Sequence, residues 1–265
     1  MLVWTRRGRI TVLAAFAAVV TIVFVAPIAT VVAAALAGRW DGPLPSHLGF
    51  ANFDRALSGE ESASLSVSLQ TALLAGLFAL VLGTWAALAA REAPQWLRRI
   101  TDAVFHVPVA VPSVAIGLGV LIAFNERPLL LGGTKWIVIL AHTVLVLAYA
   151  FSGVSAALDR LDPGYRQAAE SLGAGPVRVL FRITLPLLLP ALGAAAGLAI
   201  ALSMGELGAT IMVYPATWKT LPVTIFAETD RGEVFDAAAS TTLLVLVTLI
   251  ALVVLGRLKG RAALR

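Results

Sequence analysis

The sequence has no cysteine, only three histidines, and charged residues at 13% of its 265 positions, about half the share of an ordinary soluble domain. Without cysteine there can be no disulfide, no thiolate metal ligand and no cysteine nucleophile. No G-x-x-x-x-G-K-[ST] phosphate loop occurs, so the chain lacks the usual means of holding a nucleotide. H-E-x-x-H and G-x-S-x-G are also absent, and no serine stands at a suggestive spacing from a histidine, which leaves an intramembrane hydrolase without support. The net charge is +5, but no basic patch is interleaved with aromatics, so the balance does not point to nucleic acid.

What the chain does have is apolar length. Hydrophobic residues make up 59%, and six stretches of 20 to 29 residues contain no Asp, Glu, Lys or Arg: Ile10–Gly38, Ser62–Ala90, Ala103–Asn125, Trp136–Leu158, Ile183–Gly205 and Ala237–Gly256. About 20 residues of helix cross a hydrocarbon core, so each stretch predicts one transmembrane helix. With the N-terminus placed inside, fourteen Lys and Arg fall on the inner side and six on the outer, whereas acids divide five inside and ten outside. That bias predicts both termini to be cytoplasmic, and it accounts for the basic balance as topology. Thr5-Arg6-Arg7 and the later Ala35-Leu36-Ala37 superficially resemble a twin-arginine signal and its cleavage site. The apolar run between them is longer than the 7–15 residues or so of a signal core, so an uncleaved first helix is expected.

The connections are unequal. Residues 39–61 are polar and predict a short surface helix around Asn52–Leu57; residues 91–102 form a short basic turn; Pro128 and Gly132-Gly133 read as a turn in Glu126–Lys135. Between helices 4 and 5, Asp162-Pro163 is an N-cap with proline at the first helical position, and Gly173 closes that helix. Gly175-Pro176 then starts a second helix leading into the membrane at Leu185-Pro186. A connector needs only a few residues, so a structured loop over 159–185 predicts a docking surface. The absence of repeats, low-complexity tracts and interdomain linkers predicts a single domain over 1–265.

Gln167-Ala168-Ala169, Gly173 after three residues, and Ile183-Thr184-Leu185-Pro186 after nine more resemble the cytoplasmic EAA-x3-G-x9-I-x-L-P motif of ABC importer permeases. Ser203-Met204-Gly205-Glu206-Leu207-Gly208-Ala209-Thr210 resembles the SxGExGAT segment of the sulfate, molybdate, thiamine, iron and phosphonate group. Residues 213–215 and 229–236 are most similar to permeases for 2-aminoethylphosphonate. The resemblance covers about residues 50–257. It implies an all-α membrane protein of the type I importer permease fold, with six transmembrane helices and a coupling helix between helices 4 and 5. It further implies a small-solute transport subunit that is not itself an enzyme. Its implied partners are two ATPase subunits carrying ATP and Mg, a second permease subunit that is homologous or identical, an extracytoplasmic solute-binding protein, and bilayer lipid. The family's glutamate is Gln167 here, which removes a charge from the docking helix; Arg166 and Glu170 flank it.

By the chemistry of the residues alone, Ala168 and Ala169 remove bulk so that another backbone can approach, and Gly173 permits the left-handed turn that ends the helix. Glu206 near the end of helix 5 is read either as a pathway or gate residue or as an outer-interface acid, with Ser203, Gly205 and Gly208 giving the backbone room to bend. The next stretch, 209–218, is expected to re-enter the membrane or cap an outer cavity. Pro108 and Pro112, four apart, predict a kink in helix 3 beside Gly117 and Gly119, although proline and glycine are common in membrane helices anyway. His106 and His142 have no metal-ligand spacing and read as hydrogen-bonding residues, and His47 lies in a loop. A structural membrane protein with no transport cycle is the remaining alternative, and it leaves the loop's motif spacing unexplained.

Overall fold

The computed structural model describes residues 6–262, and among them the chain is helical nearly throughout. The helices are α1 (Arg6–Val20), α2 (Ala26–Leu36), α3 (Ala51–Ala56), α4 (Glu60–Glu92), α5 (Gln95–Ala110), α6 (Ser113–Ala123) and α7 (Lys135–Asp159). They continue with α8 (Pro163–Ser171), α9 (Pro176–Val179), α10 (Leu185–Met204), α11 (Gly208–Val213), α12 (Leu221–Asp230) and α13 (Val234–Ala262). Five continuous segments are long and apolar enough to cross a membrane: Gly8–Leu36, Glu60–Glu92, Lys135–Asp159, Pro176–Met204 and Val234–Gly256. A sixth span is formed if α5 and α6, bent by 108° at their junction, are counted together. The first and fourth segments contain π-helical turns, Thr21–Val25 and Leu180–Thr184. Each π turn ends two residues before a proline, Pro27 or Pro186. Proline lacks an N–H and crowds the carbonyl four residues back, and a wider turn relieves both conflicts without breaking the helix.

The chain forms two compact units. The first comprises residues up to Ser62 together with Thr224–Leu243. Its core is small, with Ala34, Ala35, Ala56, Ala238, Ala239 and Leu243 under Trp40, Phe53 and Phe235. The expected short helix is α3, but its Asn52 is buried rather than at the surface. The Asn52 amide donates to the carbonyls of Ala35 and Ala37, at 2.8 and 2.9 Å, and so satisfies acceptors left open where α2 ends. Arg55 donates to Asn52 Oδ1 at 2.6 Å and to Asp236 Oδ1 at 2.9 Å, which ties α3 to the start of α13. Glu228 of α12 is 1% exposed. One of its oxygens lies 3.4 Å from Ser240 Oγ, and the other has no hydrogen-bond partner. Burial pushes its carboxyl up to about 7; nearby Glu61 and Asp236 act in the same direction, against the Ser240 hydrogen bond and Arg231.

The second unit comprises Ala63–Val223 and the chain from Leu244 onward. Its axis is α7, whose residues from Ile137 to Leu158 are buried on most sides. α10 packs along α7, and Phe151, Val154 and Leu158 meet Ala87, Ala90 and Leu188. At the other end of α7, Ile137, Val138 and Ala141 meet Val120 of α6 and Ala209 and Val213 of α11. The buried face of α4 is built from small residues, including Ala72, Gly76, Ala79, Gly83, Ala87 and Ala90. Their spacing of three and four residues keeps them on one side of the helix and allows neighbouring backbones to approach closely.

Candidate functional site

The 159–185 loop folds as its local signals predict. Asp162 Oδ1 accepts from Gly164 N–H at 2.8 Å, Pro163 opens α8, and the helix ends in a Schellman turn. In that turn Gly173 N–H donates to Glu170 O at 2.9 Å and Ala174 N–H to Ala169 O at 3.0 Å, with Gly173 at φ +81°. Pro176 then begins a helix that continues through the π turn, which contains Ile183, into α10 with Leu185 and Pro186 in its first turn.

Gln167, Ala168 and Leu172 are exposed along α8. Ala169 is not: it is buried within the unit, so its small side chain serves internal packing and only Ala168 of the pair offers a bare surface. Arg166 stays exposed but is paired within the chain. Its Nε donates to Glu170 Oε1 at 2.8 Å and its Nη1 to Glu92 Oε1 at 2.5 Å, which joins α8 to the end of α4. These two carboxylates, Glu170 foremost, hold the guanidinium charge more firmly than water would. A cleft of about 440 Å³ lies between the end of α4 and the loop, lined among others by Trp85, Glu92, Arg166, Ile183 and Leu187.

A second cluster surrounds the break after α10. Gly205 ends that helix at φ −93°, a conformation open to any residue, and a Cβ there would meet nothing closer than 4.0 Å. Glu206 is half-buried. Its Oε1 accepts from Ala209 N–H at 2.7 Å, and its carbonyl accepts from Thr210 Oγ1 at 3.2 Å, so it caps the first turn of α11. A cavity of about 170 Å³ adjoins it, with Pro108, Val111, His142, Tyr149, Ser203 and Glu206 on its wall.

The predicted kink in helix 3 is larger than proline alone would produce, and it is arranged differently. Pro108 lies inside α5, whereas Pro112 stands beyond the end of that helix as the N-cap residue of α6, so the two prolines do not share a helix face. Val111 between them is extended, as the residue before a proline prefers, and the axis turns by 108° there. Gly119 faces open space, but Gly117 does not: a Cβ built on it would stand 2.6 Å from Ala209 O. Gly208 likewise packs against Ser113 and Val114 across the same α6–α11 contact. Of the expected pathway residues, Ser203, Glu206 and Pro108 therefore gather on one cavity, while Gly205 and Pro112 terminate helices and Gly208 serves packing.

The residue that sequence reading undervalued is His142, which meets Ser203 and Thr210 at 2.7 Å each. Nothing local marks it, because its partners are 61 and 68 positions away. His106 hydrogen-bonds as expected, to Asp102 O and to Ser152 Oγ. Among the described residues no group of His, Cys, Asp or Glu could hold a metal ion.

Residues 79–261 match the family described as binding-protein-dependent transport system inner membrane component. The chain is 43% identical, over 98% of its own length and 98% of the relative's, to a Salmonella typhimurium protein named "Putative 2-aminoethylphosphonate transport system permease protein PhnV". It is 32% identical to the molybdenum transport system permease protein ModB of Escherichia coli K12, over 67% of this chain and 84% of that one. Among solved structures, its fold is similar to a chain of a bacterial ABC transporter importing the acidic polysaccharide alginate, with a TM-score of 0.75, 17% identity, and coverage of 95% of this chain and 94% of that chain. A chain of the inward-facing MetNI methionine ABC transporter follows at TM-score 0.63 and 18% identity, over 76% of this chain and 95% of that one. With its apolar helices, its loop and its near full-length relatives, the chain belongs to the family of binding-protein-dependent transport system inner membrane components, the multi-pass permease subunits of bacterial ABC importers.

Proposed function

We propose that this permease moves 2-aminoethylphosphonate across the cytoplasmic membrane by alternating access. The observation that carries the solute is the 43% identity to relatives bearing that name, extending over 98% of both chains. The molybdenum permease matches at lower identity and over less of the chain. Both termini and the 159–185 loop lie on the cytoplasmic side, in keeping with the distribution of Lys and Arg.

The working complex pairs this chain with a second permease subunit, homologous or identical. Two ATPase subunits sit beneath, carrying the ATP and Mg that this chain does not bind, and a solute-binding protein delivers solute from outside. α8 docks on an ATPase through its exposed Gln167, Ala168 and Leu172 face. Arg166 and Glu170 serve within the chain, where they brace α8, while Ala169 and Gly173 shape the helix and its exit. The continuous helix through Ile183, Leu185 and Pro186 carries ATPase movement into α10. Ser203 and Glu206 face the translocation pathway at the far end of α10, opposite the corner formed at Pro108 and Pro112. ATP favours the outward-open conformation that receives solute from the binding protein, and hydrolysis resets it; nucleotide and the loaded binding protein each bind the two conformations with different affinity.

The test is purification from native membranes in gentle detergent through a C-terminal tag, with mass spectrometry of what accompanies the chain. A P-loop ATPase and an exported binding protein are expected, and the binding protein should take 2-aminoethylphosphonate in a ligand screen. A binding protein that instead takes molybdate, sulfate, thiamine or ferric iron would refute the solute. An intact complex that repeatedly lacks an ATPase would refute the coupling role of the loop.

A further inference from the structure

Ser203 and Thr210, seven residues apart, converge on a single imidazole from another helix. His142 lies in α7 and is 1% exposed, with its Nδ1 2.7 Å from Ser203 Oγ and its Nε2 2.7 Å from Thr210 Oγ1. The Thr210 hydroxyl gives its proton to Glu206 O at 3.2 Å. That leaves Nε2–H to donate to Thr210 and Nδ1 to accept from Ser203, the order a neutral imidazole satisfies. A continuous polar chain results, from Ser203 through His142 and Thr210 to Glu206. It spans the interval where α10 has ended and α11 is starting, so it holds backbone that no helix ladder holds.

The location of this tie gives it a consequence. α7 runs into the 159–185 loop at Asp159, and the helix leaving the loop at Pro176 runs unbroken to Met204. The two helices on either side of the loop are therefore joined again at their far ends, about 25 Å along α7 from Asp159 at 1.5 Å per residue. His142 and Ser203 stand there on the wall of the 170 Å³ cavity, beside Glu206. On the opposite side α11 is held by the close approach of Ala209 to Gly117. Movement entering at the loop through either helix thus reaches the cavity wall, where His142 and Ser203 form its polar link between the two helices.

We propose that His142 is a positioning residue for transport: it ties the Ser203–Thr210 segment to α7, so that the segment moves with the helices that the loop drives. This rests on the permease reading above. Without the tie, the segment keeps its apolar packing on α7 but follows the loop less closely, and more ATP is spent for each solute moved.

The complex is reconstituted in proteoliposomes, and uptake of 2-aminoethylphosphonate from its binding protein is measured together with ATP hydrolysis. His142→Phe keeps a ring and removes both hydrogen bonds; uptake per ATP should fall about tenfold while hydrolysis persists. His142→Asn, which retains a polar atom near Nδ1, and His142→Gln, which retains one near Nε2, should fall between. Ser203→Ala with Thr210→Val removes the hydroxyls and leaves the imidazole, and should reproduce the His142→Phe ratio. Amide hydrogen exchange, followed by mass spectrometry, should accelerate in 205–214 of the His142→Phe complex and stay unchanged in the loop half of α7. An unchanged uptake-to-ATP ratio in His142→Phe, or a hydroxyl double variant that remains coupled, would overturn the proposal. Wild-type vesicles that take up no 2-aminoethylphosphonate would overturn the solute assignment instead; the exchange comparison needs no solute and then decides the tie by itself.

Discussion

Gly117 of α6 and Ala209 of α11 meet backbone to side chain position, with room for a hydrogen at Gly117 and for nothing larger: a Cβ there would stand 2.6 Å from Ala209 O and 2.8 Å from Ala209 Cα. Both obstacles are main-chain atoms, so no rotamer change can relieve the clash. Gly117→Ala should destabilise the protein by about 1–3 kcal/mol, the usual range for overpacking. Gly119→Ala, two residues on and facing open space, should be neutral or slightly stabilising in the same thermal unfolding assay in detergent.

Arg166 separates stability from coupling. Its partners Glu92 and Glu170 are half-exposed, so the ion pairs contribute at most about 1 kcal/mol. Arg166→Gln should leave the melting temperature nearly unchanged. Uptake should nevertheless fall by about three- to tenfold, because α8 loses its link to α4. Glu92→Gln should reproduce the loss, and combining the two should add little.

Gly173 adopts φ +81°, whereas Gly175 sits at φ −70°. Placing a Cβ in the left-handed region costs about 1–2 kcal/mol. Gly173→Ala should therefore fray the end of α8 and lower uptake, with membrane insertion intact. Gly175→Ala supplies the comparison, and equal uptake by the two variants would contradict the role given to the turn.

Glu228 gives a pH dependence with a definite sign. Its carboxyl is raised from 4.5 to about 7 by burial, so the folded protein holds the proton more tightly than the unfolded chain. The proton-linked stability is fully present below pH 4.5 and is lost as the pH rises through 7. Glu228→Gln should melt higher than the wild type at pH 8, by about 2–4 °C, and the difference should shrink as the pH falls from 7 and vanish below pH 4.5. A constant difference across that range would contradict the assignment.

The parts of this structure legible in the sequence are those specified by neighbours in the chain. Asp162, Pro163 and Gly173 fix both ends of α8 through contacts within a few residues, and charge-free length alone marks the spans. The 108° corner at Val111–Pro112 was visible only as a kink, because its angle depends on how α6 seats on α11, about ninety positions away. Ala169 reads as a docking residue from its place in α8, but which side of α8 rests on the unit is decided by tertiary contacts. His142 reads as a hydrogen-bonding residue, and it is one, but its partners Ser203 and Thr210 arrive by tertiary packing, as does the burial of Glu228.

The buried face of α4 has a thermodynamic consequence. Ala72, Gly76, Ala79, Gly83, Ala87 and Ala90 have no side-chain torsion that packing could freeze. A helix face of leucine or methionine would surrender about 0.5–2 kcal/mol of rotamer entropy per residue on docking; these six positions surrender essentially none. Contact along α4 therefore forms and re-forms with little entropic resistance from its own side chains, a favourable property in a helix whose neighbours must shift repeatedly.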